Sequence, residues 1–263
     1  MKLKLASILL LLMIWQQAIG KIAIYGDTRS DPEVHAKIIA QLVQQQPSLV
    51  IHTGDLNSQG TTQKEYDSLL SAIQPLSDIA DFYAVKGNHE KSRELFIKNF
   101  PNLGENSYKC IEHEGLLIYL LDSTQDLSPG SAQYKWFSNA LSDSLPGIVV
   151  LHHPVFSSGY HGGDQALQMF FPQLLKKGRI MAVFSGHEHS YERSEYQGIF
   201  YIVSGGGGSV QREERTSNPH SKVFAISYHY LVLCPTEHGW KAEVWDLEDK
   251  LLDSFYLGNL LHE

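Results

Sequence analysis

Short apolar runs alternate with polar clusters through the first half of the chain, and the clusters share a vocabulary of Gly, Asp, Asn and His. Lys21 to Tyr25 ends in Gly26-Asp27, Ser48 to His52 ends in Thr53-Gly54-Asp55, and Phe82 to Val85 ends in Gly87-Asn88-His89-Glu90. Between these runs lie stretches of helical character, from about Pro32 to Gln46, from about Thr62 to Gln74, and onward to about Lys98. Pro32 suits a first helical turn, where a missing N–H is no loss. Three strand–polar loop–helix units in succession predict a mainly parallel sheet with crossover helices. Each polar cluster then falls at the C-terminal end of its strand, the edge where open α/β sheets gather ligands.

Further on, Tyr108 to Glu112 and Leu116 to Leu121 read as a hairpin turning near Glu114-Gly115. Ala132 to Leu141 reads as a helix, and Ile148 to Leu151 as a strand closed by His152-His153-Pro154. A helix from about Asp164 to Lys177 contains Pro172, which should start a second short piece. Ile180 to Phe184 is a strand closed by Ser185-Gly186-His187-Glu188-His189. Beyond it the pattern is mostly β: Gly198 to Val203, Val223 to Leu233, Trp240 to Trp245 and Leu251 to Tyr256. An α/β first half joined to a β-rich second half predicts two sheets packed together with helices outside.

The first twenty residues stand apart. Lys2 and Lys4 precede an apolar run from Leu5 to Trp15, and Ala18-Ile19-Gly20 supplies small residues where a signal peptidase cuts. The run is well short of the roughly 20 residues that span a bilayer. Residues 1–20 are therefore expected to be a cleaved secretory signal, with 21–263 forming one domain without a stable membrane anchor, secreted or periplasmic. Cleavage would move the net charge from −8 to −10, with 19 basic against 29 acidic residues remaining. So acidic a chain is not expected to bind nucleic acid or anionic lipid through general electrostatics. The two cysteines, Cys110 and Cys234, could pair in an oxidising compartment or stay as buried free thiols, each lying in an apolar, strand-like run.

Five strand-end clusters bring hard carboxylate and amide oxygens together with imidazoles: Asp27, Asp55, Asn88-His89, His152 and His187-x-His189. That donor set suits borderline divalent metals or iron, and the lack of thiolates disfavours a structural zinc knot. Six ligands are enough for two ions. Ions about 3.5–4 Å apart can clamp a phosphate and generate hydroxide near neutral pH. Asp55 is the natural bridging carboxylate. His187 and His189, alternating at a strand end, should point to one side together.

In order, Gly54-Asp55, Gly87-Asn88-His89-Glu90, Val149-Val150-Leu151-His152 and Gly186-His187-Glu188-His189 resemble the blocks of the calcineurin-like metallophosphoesterases. Gly186 to Arg193, His152-His153-Pro154 and the glycine run Gly205 to Gly208 are similar to the purple acid phosphatase branch in particular. The resemblance implies a four-layer α/β-β/α sandwich of two mixed sheets flanked by helices. It also implies Asp27, Asp55 and His189 on a first metal and Asp55, Asn88, His152 and His187 on a second, with manganese, iron or zinc as candidates. His89 would stand beside a small phosphorylated substrate, and attack would come from a metal-bound hydroxide.

Two positions depart from the family pattern. Arg29 replaces the His of an Asp-x-His block, and Ser58 stands where purple enzymes carry the tyrosine that ligates ferric iron. The first site is thus expected to be weaker or completed differently, and the protein not purple. His35 could swing back to complete it, or be a surface helix residue. Arg29 could bind phosphate, or pair with Asp31 or another carboxylate. His161 is a candidate substrate contact. His153 is expected to point away from His152 in a structural role, while Glu90, Tyr191 and Arg193 are expected to support the ligands. Gly205 to Gly208 lack the Lys-Ser/Thr of a P-loop and should mark a tight crossing. The leading expectation is phosphomonoester hydrolysis. Phosphodiester hydrolysis on the same fold remains open, as does a binding or scaffold protein with a decayed site.

Overall fold

The computed structural model describes residues 20–258. The predicted signal segment lies outside the described residues apart from Gly20. Among the described residues, no helix is long and apolar enough to cross a membrane.

Three parallel strands, β1 (Ile22–Tyr25), β2 (Leu49–His52) and β3 (Asp81–Ala84), pair side by side, with Ile24 opposite Ile51 and Ile51 opposite Tyr83. Helix α1 (Pro32–Gln45) links the first two and α2 (Gln63–Ser77) the second two. Both starts are capped. Asp31 accepts the N–H groups of Glu33 and Val34, and Thr62 with Glu65 forms a reciprocal capping box. Glu65 also accepts the N–H groups of Gln59, Gly60 and Thr61, which pins the loop that follows Asp55. Helix α3 (Arg93–Asn99) and a 3₁₀ turn (Pro101–Leu103) lead into the hairpin β4 (Lys109–His113) and β5 (Leu116–Leu120). Its turn places Glu114 and Gly115 at φ 50° and 74°, the backbone of a two-residue hairpin loop.

Helix α4 (Ala132–Ala140), strand β6 (Pro146–Val150), helix α5 (Gln165–Leu175) and strand β7 (Arg179–Ser185) follow. Contrary to the sequence expectation, α5 continues through Pro172, which is buried with Phe171, Leu174 and Leu175 against the sheet. The remaining chain is β8 (Tyr191–Tyr196), β9 (Ile199–Ser204), β10 (Ser221–Ala225), β11 (His229–Thr236), β12 (Gly239–Asp246) and β13 (Leu251–Leu257).

These strands form a six-stranded sheet, β13-β12-β11-β1-β2-β3, and a seven-stranded sheet, β10-β8-β9-β7-β6-β5-β4. Alternation along β5, β6 and β7 assigns the layers. Ile118, Leu120, Ile148, Val150, Ala182 and Phe184 belong to the core shared with the six-stranded sheet. Tyr119, Leu121, Val149, Leu151 and Val183 face the opposite way, with Phe137 of α4 and Phe171 of α5. Successive side chains of a strand point to opposite faces, so the order is helices, sheet, sheet, helices. The predicted four-layer sandwich is the observed one.

Two strand readings need correction. The stretch Val223 to Leu233 is not one strand. Its first part joins the seven-stranded sheet as β10 and its last part the six-stranded sheet as β11, with the crossing at Ile226 to Tyr228. The polar run Tyr191–Tyr196, with no strand predicted beyond the metal-ligand block, is β8. It pairs antiparallel with β9 through a Gln197-Gly198 turn. Its Tyr191 hydroxyl and Arg193 guanidinium both donate to Asp253 of β13, at 2.7 and 2.6 Å. Both side chains therefore tie the two sheets together and do not support the ligands. The two cysteines are free thiols, Cys110 on β4 and Cys234 on β11 of the other sheet.

Candidate metal centre

The C-terminal ends of β1, β2 and β3 meet those of β6 and β7 where the two sheets abut. Asp27 follows β1, Asp55 follows β2, Asn88 and His89 follow β3, His152 follows β6, and His187 and His189 follow β7. Backbone and side-chain bonds cross between the sheets at this point. His187 N–H donates to Asp27 Oδ2 at 2.9 Å, and Thr53 Oγ1 donates to the Ser204 carbonyl at 3.1 Å. Asp27, Asp55 and His187 all hold left-handed backbone, at φ 60°, 57° and 71°. Non-glycine residues in that region carry strain, of order 1–3 kcal/mol each, that surrounding contacts must enforce. Gly54 before Asp55 is itself at φ 99°, and a Cβ there would stand 2.6 Å from His152 Nδ1. The backbone is bent to aim these side chains.

The imidazoles are oriented by carbonyls. His152 gives its Nδ1–H to the Thr53 carbonyl at 2.9 Å, and His189 gives its Nδ1–H to the Val210 carbonyl at 2.6 Å. Each ring then turns a bare Nε2 lone pair inward. His152 Nε2 lies 3.0 Å from Asn88 Oδ1 and 3.4 Å from Asp55 Oδ1. His187 Nδ1 lies 2.9 Å from the same Asn88 oxygen. His189 Nε2 lies 3.8 Å from Asp27 Oδ1, a buried oxygen with no hydrogen-bond partner.

Lone pairs facing lone pairs in a buried site repel unless a proton or a metal lies between them. On the imidazoles a proton is disfavoured. Burial lowers the pKa of His152 well below the ordinary value, and holds His187 at about 2 and His189 at about 4. Burial and the neighbouring Asp55 carboxylate push Asp27 the other way, well above the usual carboxylate range. These shifts mark groups that lack a counter-charge. The nitrogen and oxygen donors fit divalent cations or iron. Ligand atoms of Asp27, Asp55 and His152 lie within 4.8 Å of one another, as do those of His152, His153 and His187.

The other expected residues take mixed positions. His89 gives its Nδ1–H to the Ser58 carbonyl at 2.7 Å and turns Nε2 toward Asp55 Oδ2, 3.9 Å away, at the partly exposed mouth of the site. Arg29 Nε faces Asp55 Oδ2 at 3.4 Å and not Asp31, whose carboxylate caps α1. Ser58 Oγ donates to the Arg29 carbonyl at 3.0 Å. His35 is neither on the surface nor among the grouped ligand atoms. It is buried on α1 with Nε2 3.3 Å from the Tyr25 hydroxyl, at the wall of a ≈ 380 Å³ pocket shared with Arg29 and Ser58. His161 stacks near His187, with ring centroids 4.6 Å apart.

His153 does not turn away: its ring is 5.0 Å from His152 and 4.7 Å from His187, and its Nδ1 bonds Ser123 Oγ at 2.9 Å. Glu90 accepts three backbone N–H groups and holds the Asp55 loop in place. The glycine run is a tight crossing, with Gly207 N–H on the Gly26 carbonyl at 2.8 Å. Sequence reading did not single out Glu188 or Glu192. Glu188 accepts the His161 N–H at 2.6 Å, and Glu192 binds Ser157, Ser158 and Asn218. Both lie inside the Gly186 to Arg193 block, where the position of Glu188 between two histidines was the available signal and Glu192, between Tyr191 and Arg193, carried none.

The chain is similar to several known proteins. Over 206 residues the chain is 29% identical to probable purple acid phosphatase 20 of Arabidopsis thaliana, an alignment covering 65% of this chain and 48% of that protein. Over 165 residues it is 29% identical to a probable cyclic nucleotide phosphodiesterase of Synechococcus sp., covering 59% of this chain and 62% of that one. The structure of purple acid phosphatase from yellow lupin (Lupinus luteus) seeds superposes with a TM-score of 0.77 at 17% identity, covering 91% of this chain and 53% of that chain. The chain spans about half the length of the first curated relatives it matches. The family model described as calcineurin-like phosphoesterase matches residues 20–191, which hold every strand end of the site, and the chain belongs to that family.

Proposed function

We propose that the chain is an exported hydrolase of phosphate esters, chiefly monoesters, that works with two metal ions. The observation that carries this reading is the convergence of His152 Nε2, Asn88 Oδ1 and Asp55 Oδ1 within 3.0–3.4 Å, three acceptors with no proton to share. Asp27, Asp55, Asn88, His152, His187 and His189 would hold the ions. Bound there, the ions would neutralise phosphoryl oxygens and supply a nucleophile near neutral pH.

The chain's own residues do the rest. Thr53 and Val210 fix the tautomers of His152 and His189 through their carbonyls, so that both Nε2 atoms stay available as ligands. His89, anchored at Nδ1 by Ser58, can carry a proton on Nε2 and deliver it to the leaving oxygen at the mouth of the site. Arg29 beside Asp55 is placed to bind a phosphate oxygen once that carboxylate serves a metal. His161 borders the same mouth next to His187.

The Arg29–Asp55 contact also gives the binding-protein reading its one support, since a guanidinium there competes with a cation for Asp55 Oδ2. Hydrolysis of p-nitrophenyl phosphate and bis-p-nitrophenyl phosphate by metal-loaded protein separates the readings. Faster monoester turnover supports the proposal, faster diester turnover makes it a phosphodiesterase, and no turnover leaves a binding protein.

A further inference from the structure

Among the described residues, two arginines beside the site have no carboxylate within ion-pair distance. Among the described residues, the Arg and Lys ion pairs join Arg29 with Asp55, Arg193 with Asp253 and Lys241 with Glu243. Arg212 and Arg215 are in none, although Glu213 and Glu214 lie between them in sequence and the chain carries a net charge of −8. What holds them is aromatic. Arg212 donates to His161 Nε2, and the guanidinium carbons of Arg212 and Arg215 lie 4.9 and 4.1 Å from the centre of the Tyr160 ring. Both N–H groups of Arg215 and Thr216 on the main chain donate to the Ser158 carbonyl, at 2.9 and 3.0 Å, which seats the arginine loop on the Tyr160 loop.

This cluster is next to the chemistry. His161 lies 4.6 Å from His187 between ring centroids. Glu188 Oε1 is occupied by the His161 N–H at 2.6 Å. A pocket of ≈ 270 Å³ that His161 also lines is walled by Ser157, Gln168, Thr216 and Asn218 among others, with no arginine or lysine. An anionic part of a substrate would be drawn to the arginine side and a neutral part to the pocket.

We propose that Arg212 and Arg215 form a second anion subsite, selecting phosphate esters whose leaving group carries a further phosphate or carboxylate. The inference rests on the phosphoesterase reading above. Guanidinium forks match carboxylate and phosphate oxygens in pairs, and cation–π contact with Tyr160 preorganises them without neutralising their charge. The substrate would lie with its scissile phosphate at the metal centre and its second anion across His161 on the two arginines.

The test compares full-length metal-loaded protein with Arg212→Gln, Arg215→Gln and the double variant. The first readout is the ratio of kcat/KM for 4-carboxyphenyl phosphate to that for phenyl phosphate. The second is calorimetric binding of methylenediphosphonate against methylphosphonate, which needs no turnover. The wild type should favour the member of each pair that carries two anionic groups, and the double variant should lose at least about tenfold of that preference, the size of one charge-assisted hydrogen bond. Preference ratios unchanged in the double variant, with its melting temperature unaltered, would overturn the subsite. If the wild type turns over neither ester, the phosphoesterase reading fails on its own. The calorimetric preference, kept or lost, then decides the subsite separately.

Discussion

Glu90 Oε2 accepts the backbone N–H of Asp55 at 3.1 Å and that of Gly87 at 2.9 Å, while Oε1 accepts Asn57 N–H at 2.9 Å. One buried carboxylate thus fixes the backbone of the β2 and β3 loops that present Asp55 and Asn88. A Glu90→Gln change would turn an amide NH₂ toward one of these N–H donors. We expect a loss of about 1–3 kcal/mol of stability and a fall of about 10–100-fold in metal affinity. Thermal melting and metal titration check both. Unchanged metal affinity would show that the loop is held by other contacts.

His89 touches Asp55 only at 3.9 Å and is anchored through Ser58, so it stands beside the ligand set and outside it. His89→Ala should lower kcat by about 10²–10⁴-fold, the usual range for a lost general acid, with metal content per chain unchanged. Loss of metal in this variant would instead make His89 a ligand.

Arg29 Nε sits 3.4 Å from Asp55 Oδ2 and competes with a cation for that oxygen. Arg29→Ala should tighten the weaker metal site by a few-fold, in line with the ~1 kcal/mol of a partly exposed pair, and raise KM for a phosphate ester. Titration with manganese and steady-state kinetics measure the two effects. Ser58 offers only a hydroxyl, already donated to the Arg29 carbonyl, so protein loaded with ferric iron should show no purple absorption band.

Metal-free protein should lose stability toward acid. Burial holds His35 and His229 at about 4, against 6.5 in the unfolded chain. Between those values the unfolded state binds protons that the folded state refuses, so stability falls as pH drops from about 6.5 to about 4. Glu90, raised by burial to about 7, acts in the opposite sense over a similar window, as do Asp27 and Glu188. The lowered histidines, with His52, His152, His187 and His189 among them, outnumber these acids. Melting temperature in chelator from pH 7 to pH 4 should decline, less steeply in His229→Gln. A rise toward acid would mean the carboxylates dominate.

Much of this architecture is written in the chain's periodicity. β1 to β3, β6 and β7 are mostly apolar runs, as strands largely covered on both faces must be, and each is followed by a polar residue that reaches the site. β8 escaped because its buried members are Tyr191, Glu192 and Ser194, whose polar atoms are satisfied by residues far away in sequence. The break between β10 and β11 has no proline or glycine to mark it, since packing on different sheets decides it. His153 was misplaced because alternation is a rule for strands, and β6 ends at Val150 before the two histidines. Arg212 and Arg215 lie in an irregular loop, where no periodicity says what they face.

The central claim is that six side chains hold two ions for ester hydrolysis, and metal content per chain, measured together with p-nitrophenyl phosphate turnover, tests it most directly. The account predicts two ions per chain and turnover, both reduced in Asp55→Asn. Fewer than one ion per chain, with no turnover after addition of manganese, iron or zinc, would contradict it.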